Sequence, residues 1–294
     1  MRIGIVLALL AAACASPTPP PVTPALSMAE LLAQSPAADW RPLDPENTLY
    51  MELPAGRVVI ELAPAFAPNH AANIRALARA NYFDAASVLR SQDNYVVQWG
   101  RPEDNPRPLG AAQANLAAEF ARPRAGIALT PLADPDSYAR EVGHGDGFPV
   151  ARDSEHIWLA HCYGMVGAGR GDTTDSGNGG ELYVVIGHAP RHLDRNVTLV
   201  GRVVQGMELL SVMARGTGAL GFYETAAERT PIRAIRVAAD VPVAERTNLE
   251  ALRTDSVTFA ALVQSRRTRR ESWFVEPTGH INLCNVPLPV RARG

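Results

Sequence analysis

The segment Arg90-Ser91-Gln92-Asp93-Asn94-Tyr95-Val96-Val97-Gln98-Trp99-Gly100 opens on a cation, carries an aromatic side chain five positions later and an amide three positions after that, and closes on glycine. Its pattern predicts two short strands, Ser87–Arg90 and Tyr95–Gly100, with polar residues between them. An Arg in a strand is ordinarily a solvated residue at a sheet edge. The spacing of Arg90, Tyr95 and Gln98 therefore indicates a functional site only if other segments of the chain carry patterns typical of the same fold.

Four further segments carry recognisable patterns, in a fixed order along the chain. The first alternates in the manner of a strand, the second has apolar residues at helical spacing with a proline near its first turn, and the last two are rich in β-branched residues. They are Gly56-Arg-Val-Val-Ile-Glu-Leu62, Ala67-Pro-Asn-His-Ala-Ala-Asn73-Ile-Arg-Ala-Leu77, Glu181-Leu-Tyr183-Val-Val-Ile186, and Leu193-Asp194 with Val197-Thr-Leu-Val-Gly201-Arg-Val-Val-Gln-Gly206-Met207.

Together the five segments resemble the cyclophilin-type peptidyl-prolyl isomerases. The family's active-site block is Arg-x4-Phe-hydrophobic-x-Gln followed by Gly, and its first helix reads P-x-(T/H)-x-x-N-(F/I)-x-x-L. Its later strands contain Gln-Phe-Phe-Ile and Leu-Asp…Phe-Gly-x-Val-x-x-Gly-Met. The resemblance covers roughly residues 47 to 239. It rests on the order and spacing of all the segments, because no single motif is decisive.

The resemblance implies a mainly β fold, a closed eight-stranded antiparallel barrel that two helices cap and that leaves no sheet edge exposed. Two segments compete for the strand before Glu181. We prefer Gly164–Gly167 to Gly126–Leu129, because Glu181 then follows at a plausible distance. The other predicted elements are strands Thr48–Leu53, Arg57–Leu62, Glu181–Gly187, Val197–Val204 and Ile232–Ala238, and helices Leu26–Gln34, Ala67–Ala80 and Gly206–Met213.

The implied reaction, cis–trans isomerisation of an X–Pro bond, requires neither a nucleophile nor a metal. Its barrier of roughly 18–20 kcal/mol arises because rotation breaks amide resonance, so a catalyst must bind the twisted bond more tightly than the planar one. Arg suits this role, since it is always charged and carries a rigid fork of donors. By resemblance, Arg90 and Gln98 are catalytic, with Gln98 holding the substrate backbone, and the proline ring lies in an apolar cup of Tyr95, Val96, Tyr183 and Leu193.

Several pocket positions depart from the family pattern. The differences are Tyr95 for Phe, Val96 for Met, Glu181 for Gln, His192 for Trp or His, Val197 for a pocket His and Arg170 for Asn. We still expect Glu181 and His192 to contact the substrate. The retained Arg90 and Gln98 favour an isomerase. The altered rim favours the alternative, a non-catalytic module that binds a proline-containing segment or docks a partner through its insertion.

The N-terminus has the features of a short secretory signal. Arg2 gives one positive charge, and the apolar run Ile3–Ala13 is far shorter than the ~20 residues that a membrane-spanning helix needs. Ala11-Ala12-Ala13-Cys14 resembles a lipoprotein processing site, although Leu is more usual three positions before the Cys; ordinary cleavage after Ala13-Cys14-Ala15 is the alternative. We expect a signal peptide with a lipobox over residues 1–14, a Pro-rich tether and short helix over 15–44, and a periplasmic protein lipid-anchored to the membrane through Cys14.

Composition favours one soluble domain of moderate size with appendages, since the chain has 294 residues, 47% of them hydrophobic, and a net charge of −2. All 28 basic residues are Arg, which we attribute to codon bias. This charge balance gives no reason to expect nucleic acid, and no metal-ligand or phosphate-loop pattern is complete. We expect a monomer without cofactor or metal, whose partners are proline-containing segments of unfolded or exported proteins.

Two regions of the chain are additional to those of a compact family member. The cyclophilin-like domain spans residues 45–240, with an insertion at about 121–161 near the rim of the active site. The extension, residues 241–294, is predicted to form helices at Val243–Arg253 and Ser256–Arg270 and to pack against the barrel. The side chains that support packing are apolar and too numerous for a free tail: Leu249, Leu252, Phe259, Leu262, Val263, Trp273 and Phe274.

Cys162 and Cys284 allow two states. Export would place both in an oxidising compartment, where a disulfide would tie the extension to the barrel. Two buried free thiols are the alternative. The sequence leaves both open, because a disulfide requires a short Cα separation that the sequence does not give.

Overall fold

The computed structural model describes residues 26–293, so the predicted signal, Cys14 and the Pro-rich tether lie outside the described residues. Its helices are α1 (Met28–Ala33), α2 (Pro68–Arg79), α3 (Met207–Ser211) and α4 (Val257–Thr268). Its strands are β1 (Trp40–Pro42), β2 (Thr48–Leu53), β3 (Gly56–Leu62), β4 (Ala86–Ser91), β5 (Val96–Gly100), β6 (Arg122–Pro123), β7 (Thr130–Leu132), β8 (Glu141–Gly145), β9 (Phe148–Arg152), β10 (His156–Leu159), β11 (Met165–Ala168), β12 (Glu181–Val185), β13 (Leu199–Gln205), β14 (Pro231–Ile232), β15 (Ala234–Val237), β16 (Leu249–Leu252) and β17 (Val290–Ala292).

The main sheet is an antiparallel barrel. Its strands follow the order β14-β4-β5-β12-β11-β13-β3-β2-β15. β14 and β15 are two halves of one strand interrupted at Arg233, and they pair with β4 and β2 at the two ends of the sheet. The backbone N–H of Arg233 itself donates to Glu52 O at 2.9 Å. The predicted eight-stranded barrel is confirmed, with its last strand broken in two.

Alternating apolar side chains fill the barrel. Leu49 and Met51 of β2 face Val58 and Ile60 of β3, and all four are fully buried. This is the pattern that a strand buried on one face requires. The helix α2 packs its Ile74 into the same core, while α3 contributes Leu210. The helix predicted over Gly206–Met213 is present but shorter, because Gly206 is its left-handed N-cap, with φ 89°.

The insertion forms a second antiparallel sheet, in the order β6-β10-β9-β8-β7. The preference for Gly164–Gly167 as the barrel strand is confirmed, because β11 pairs with β12 and β13 inside the barrel. The rejected segment Gly126–Leu129 precedes β7 and takes part in neither sheet as a strand.

The extension is mixed in structure, which corrects the purely helical prediction. The helix expected over Val243–Arg253 is wrong: a single 3-10 turn at Val243–Glu245 is followed by the strand β16, which pairs with β1 on one side and β17 on the other. Tertiary pairing here overrides the helix propensity of Leu, Glu and Ala. The second predicted helix is confirmed as α4, whose N-cap Ser256 accepts a hydrogen bond from the N–H of Phe259 at 3.1 Å.

The insertion, the extension and the outside of the barrel share a second hydrophobic core. Phe259 and Leu262 of α4 are buried there with Phe148 and Ile157 of the insertion. Of the two cysteine states left open by the sequence, the structure contains the disulfide, with the Cα atoms of Cys162 and Cys284 5.0 Å apart. The expectation that Trp273 is buried is wrong, since its side chain is 82% exposed. Among residues 26–293, no helix combines the length and apolarity needed to cross a bilayer.

Candidate active site

A β-bulge places Arg90 in the site. β4 and β5 pair in antiparallel register, but the register shifts between Val88, opposite Trp99, and Arg90, opposite Gln98. A bulge inserts one extra residue into a strand and redirects the side chain that follows. Arg90 and Gln98 thereby become cross-strand neighbours, and the Arg90 Nη1 donates to Gln98 Oε1 at 3.1 Å.

The guanidinium of Arg90 is fixed in position by three hydrogen bonds. Besides the bond to Gln98, Nε donates to Leu220 O at 2.6 Å and Nη2 donates to Gln92 Oε1. A guanidinium has five N–H donors, so two remain for a ligand. Its cation lies 5.5 Å from the ring centre of Tyr95 and 5.3 Å from that of Phe222. Partial burial lowers the pKa of Arg90, but an Arg remains charged in any ordinary solution.

A cavity of about 310 Å³ lies beside this guanidinium. It brings together both predicted catalytic residues and all four predicted members of the apolar cup. Its lining consists of Arg90, Tyr95, Val96, Gln98, Gly169, Arg170, Tyr183, Leu193 and Val197. Val96, Tyr183 and the neighbouring Val185 form one buried cluster, with Tyr95 and Val197 packed against it. The cavity thus combines a cation and an amide with an apolar wall.

Two predicted substrate contacts do not line this cavity. Glu181 lies behind Gln98, where its Oε1 accepts a hydrogen bond from Gln98 Nε2. Burial raises the pKa of Glu181, with the bond from Gln98 and the charge of Arg90 opposing that shift. His192 lies outside, its ring stacked on that of Tyr95 with centroids 6.4 Å apart. Both residues therefore hold lining side chains in place: Glu181 orients the amide, and His192 backs the aromatic wall.

The floor of the cavity is connected to a buried polar chain that the sequence did not predict. The hydroxyl of Tyr183 lies 2.8 Å from His161 Nε2, and His161 Nδ1 lies 2.9 Å from Asp194 Oδ1. Asp194 Oδ2 in turn accepts from Arg191 Nε at 2.6 Å, and Arg191 Nη1 donates to Asp136 of the insertion at 2.9 Å. Burial lowers the pKa of His161, so at neutral pH its Nδ1–H donates to Asp194 and its Nε2 accepts from Tyr183.

A glycine makes room for this arrangement. Gly167 on β11 lies opposite Tyr183 on β12, and a Cβ atom at Gly167 would overlap the phenol ring and its oxygen. The sequence shows both Gly167 and the hydroxyl of Tyr183, but neither residue alone indicates a buried hydrogen bond. Their relation to His161 depends on how β11 and β12 meet the segment that links β10 to β11, so only the structure shows it.

Other polar residues around α2 have structural roles. Glu119 Oε1 and Oε2 accept hydrogen bonds from the backbone N–H groups of Asn69 and His70 at 3.0 Å. These two N–H groups lie in the first turn of α2, where they have no partner within the helix. Although burial opposes ionisation, these bonds and that from the His70 ring hold the pKa of Glu119 below its usual value. Asn73 bonds to the backbone of Gln113 and Asn178. Within residues 26–293, no cluster of three or more His, Cys, Asp or Glu could hold a metal ion.

Comparisons with known proteins agree with this geometry. The family model described as "Cyclophilin type peptidyl-prolyl cis-trans isomerase/CLD" matches residues 48–238. Curated relatives from Brucella suis and Brucella melitensis, each named "Probable peptidyl-prolyl cis-trans isomerase", are 26% identical over 194 residues, which cover 66% of this chain and 82% of each relative. The solved cyclophilin AquaCyp293 from Hirschia baltica shares the fold, with a TM-score of 0.69 and 22% identity, over 90% of this chain and 97% of that one.

The structural likeness covers 90% of the chain, more than residues 1–240 alone could supply, and so includes part of the extension. The family model itself covers more than half of the chain. The chain therefore belongs to the cyclophilin family of peptidyl-prolyl cis-trans isomerases.

Proposed function

We propose that the protein isomerises X–Pro bonds of exported proteins, and that Arg90 is the residue that stabilises the twisted bond. The observation that carries the proposal is the guanidinium of Arg90, which is held by three hydrogen bonds and has two N–H groups left beside an apolar cavity. A donor fixed before the substrate arrives needs no reorganisation as the bond twists, and preorganisation of this kind is the largest single contribution in many enzymes.

In the planar ground state, the lone pair of the prolyl nitrogen is delocalised into the carbonyl. As the bond twists, the lone pair returns to the nitrogen, which becomes a hydrogen-bond acceptor. An N–H of Arg90 donates to that nitrogen only in the twisted state, so the contact lowers the barrier without tightening the ground state. No covalent bond forms or breaks, and no proton is transferred.

The remaining side chains orient the substrate. The ring of proline lies against Tyr183 and Leu193, and Tyr95 closes the side of the cavity nearest to Arg90. The amide oxygen of Gln98 accepts a hydrogen bond from Arg90, and one of its amide N–H groups donates to Glu181. Its second N–H is available for a backbone carbonyl of the substrate. Val96 is shorter than the Met usual in the family, which widens the cavity and favours a less selective fit.

The activity is tested with a protease-coupled assay on a proline tetrapeptide, in which the protease cleaves only the trans form. Wild-type protein should accelerate the slow phase, and Arg90→Ala should abolish most of that acceleration. A wild-type protein that binds the tetrapeptide without accelerating the slow phase would favour the non-catalytic binding module instead.

We further propose that the protein is a periplasmic monomer, anchored to the membrane by lipid on Cys14. The short apolar run ending in Cys14 supports this, as does the disulfide, because such bonds persist in oxidising compartments. Mass spectrometry of membrane-extracted protein should find a lipidated Cys14, and Cys14→Ser should release the protein into the soluble fraction. An unmodified N-terminus at Ser16 would show ordinary signal cleavage and contradict the anchor.

A further inference from the structure

A second cavity lies next to the proline cavity and shares a wall with it. The segment 191–197 forms that wall: Leu193 and Val197 line the proline cavity, whereas its other residues face the second one. The second cavity has a volume of about 600 Å³, large enough for side chains of a peptide that continues past the proline. It is lined by Tyr138, Ala139, Arg140, Arg152, Asp153, Trp158, Arg191, His192, Asp194, Arg195 and Asn196. We call it the flanking groove.

The outer wall of the flanking groove belongs entirely to the insertion. Its loop is fixed by Asp136, whose Oδ1 accepts from the backbone N–H groups of Tyr138 and Ala139 at 2.9 and 3.0 Å. Asp136 also accepts hydrogen bonds from both terminal nitrogens of Arg191, at 2.9 and 3.3 Å, and the side chains of Asp136 and Arg191 are each 3% exposed. The groove is therefore preformed, and it exists only because the insertion is present.

The accessible charges of the groove are mainly positive. The carboxylates of Asp136 and Asp194 are buried and bonded to Arg191, so they are not available to a ligand. Arg195 is 52% exposed, and its guanidinium lies 4.9 Å from the ring centre of Trp158. The exposed Arg140 has no side-chain hydrogen bond or ion pair within the part of the chain that the structure describes.

The negative charges near the rim are fewer and already engaged. Asp153 accepts backbone hydrogen bonds from Glu155 and His156 and lies 3.6 Å from Arg195. Glu141 is paired with Arg152. The 3.6 Å contact between Arg195 and Asp153 is longer than a hydrogen bond, so the N–H donors of Arg195 remain open, as do those of Arg140. These two cations can receive a new carboxylate, and the planar fork of an Arg matches a carboxylate with two parallel hydrogen bonds.

We propose that the flanking groove binds an acidic side chain of the client, a few residues from the isomerised proline, through Arg140 and Arg195. The inference rests on the proposed function, because it places the proline of the same peptide in the neighbouring cavity. It makes the insertion a specificity element that selects X–Pro bonds with Asp or Glu nearby. Complementary charge across an interface gives specificity and speeds association, and both effects weaken with salt.

The test uses fluorescent peptides of about twelve residues, each with one central proline and one variable position that carries Glu, Gln or Lys. The variable position is moved from four residues before the proline to four after. Fluorescence anisotropy gives the affinity at low and at high salt. We expect Glu to bind about threefold to tenfold more tightly than Gln at one or two adjacent positions and Lys to bind more weakly, with the difference reduced at high salt.

The variants Arg140→Gln and Arg195→Gln should each bring the Glu-to-Gln affinity ratio at that position towards one. The matched control Arg233→Gln removes an exposed Arg at the β14–β15 break and should leave the ratio unchanged. A ratio of one at every position in the wild type, or a preference that survives in both variants, would overturn the inference. Turnover of the neutral proline tetrapeptide is not part of the Glu-to-Gln affinity ratio. A wild-type protein that does not turn over this tetrapeptide would contradict the proposed isomerase activity, but not the binding of an acidic side chain in the flanking groove.

Discussion

At position 183 this chain has a phenol where the family has Phe, and that one oxygen connects the active site to the insertion. Tyr183 donates to His161, which is held by Asp194 and, through Arg191, by Asp136. Because every member of this chain of hydrogen bonds is buried or nearly so, removing one partner leaves another polar atom without a bond, at a cost of about 1–3 kcal/mol.

Tyr183→Phe should therefore destabilise the protein more than it slows the enzyme. We expect the free energy of unfolding to fall by about 1–3 kcal/mol, because His161 Nε2 loses the hydrogen bond that it accepts from Tyr183. The ring still lines the cavity, so kcat/KM should stay within a few-fold of wild type. Urea denaturation measures the first effect and the protease-coupled assay the second. Tyr163→Phe, which alters an exposed phenol, is the matched control and should change neither; a Tyr183→Phe protein as stable as wild type would contradict the role of the bond.

Single residues show what the sequence predicts and what it does not. The spacing of Arg90, Tyr95 and Gln98 placed all three at one cavity, because neighbouring strands of fixed register carry them. The roles of Glu181 and His192 were not predictable in the same way. A family pattern gives the position of a side chain along a strand, whereas its partner across the sheet decides whether it faces the cavity or supports a neighbour.

Among the elements, the insertion sheet and α4 meet at a histidine. His144 of β8 contacts the ring of Phe259 edge-on, with centroids 4.9 Å apart, and its Nε2 has no hydrogen-bond partner in the described structure. Burial, followed by the charge of Arg202, lowers the pKa of His144 to about 3. The folded protein therefore resists protonation of His144, while the unfolded chain accepts a proton near its ordinary pKa.

This difference gives a stability that depends on pH. Below the unfolded pKa of 6.5 the unfolded state binds the proton and the folded state does not, so stability falls as the pH drops from 6.5 towards 3. At pH 5 the loss due to His144 should be about 2 kcal/mol. Urea denaturation at pH 7 and pH 5 measures it. His144→Phe should reduce the difference by about that amount, and the exposed His188→Gln should not; equal pH dependence of His144→Phe and wild type would refute the assignment.

The elements also mark where sequence patterns failed. The segment Leu249–Leu252 is rich in good helix formers, yet it is the central strand of the sheet β1-β16-β17. Its Leu252 lies opposite Trp40, more than two hundred residues earlier. Pairing between segments so far apart in the sequence cannot be predicted from the local pattern of residues. The barrel strands were predictable because their alternation and their short turns are local.

At the scale of the whole molecule, the extension is part of the fold. It supplies buried side chains to the core shared with the insertion, and the disulfide joins Cys284 to Cys162 just before β11. The sequence predicted packing from the number of apolar residues, and that reasoning was sound for Leu249, Phe259 and Leu262 but wrong for Trp273. Hydrophobicity alone does not say which aromatic residue a particular surface accommodates.

The disulfide should contribute measurably to stability. It closes a loop across a sequence separation of 122 residues, so cutting it frees the unfolded chain; the expected loss is about 2–4 kcal/mol. Thermal unfolding of wild type with and without reductant measures it, and Cys284→Ser should unfold near the temperature of the reduced wild type. Cys284→Ser must itself be insensitive to reductant. A reduced wild type that unfolds at the temperature of the oxidised protein would show that docking of the extension does not depend on the bond.

The central claim is that Arg90 acts on the twisted bond and not on substrate binding. Nuclear magnetic resonance of a peptide with one X–Pro bond measures both quantities at once, the catalysed cis–trans exchange rate and the affinity. Arg90→Ala should lower the exchange rate on bound peptide by about a hundredfold or more while affinity changes far less, and Arg90→Lys, which keeps the charge but loses the fork, should recover only part of the rate. Exchange on bound Arg90→Ala that stays within a few-fold of wild type, or a rate loss that weaker binding fully explains, would contradict the account.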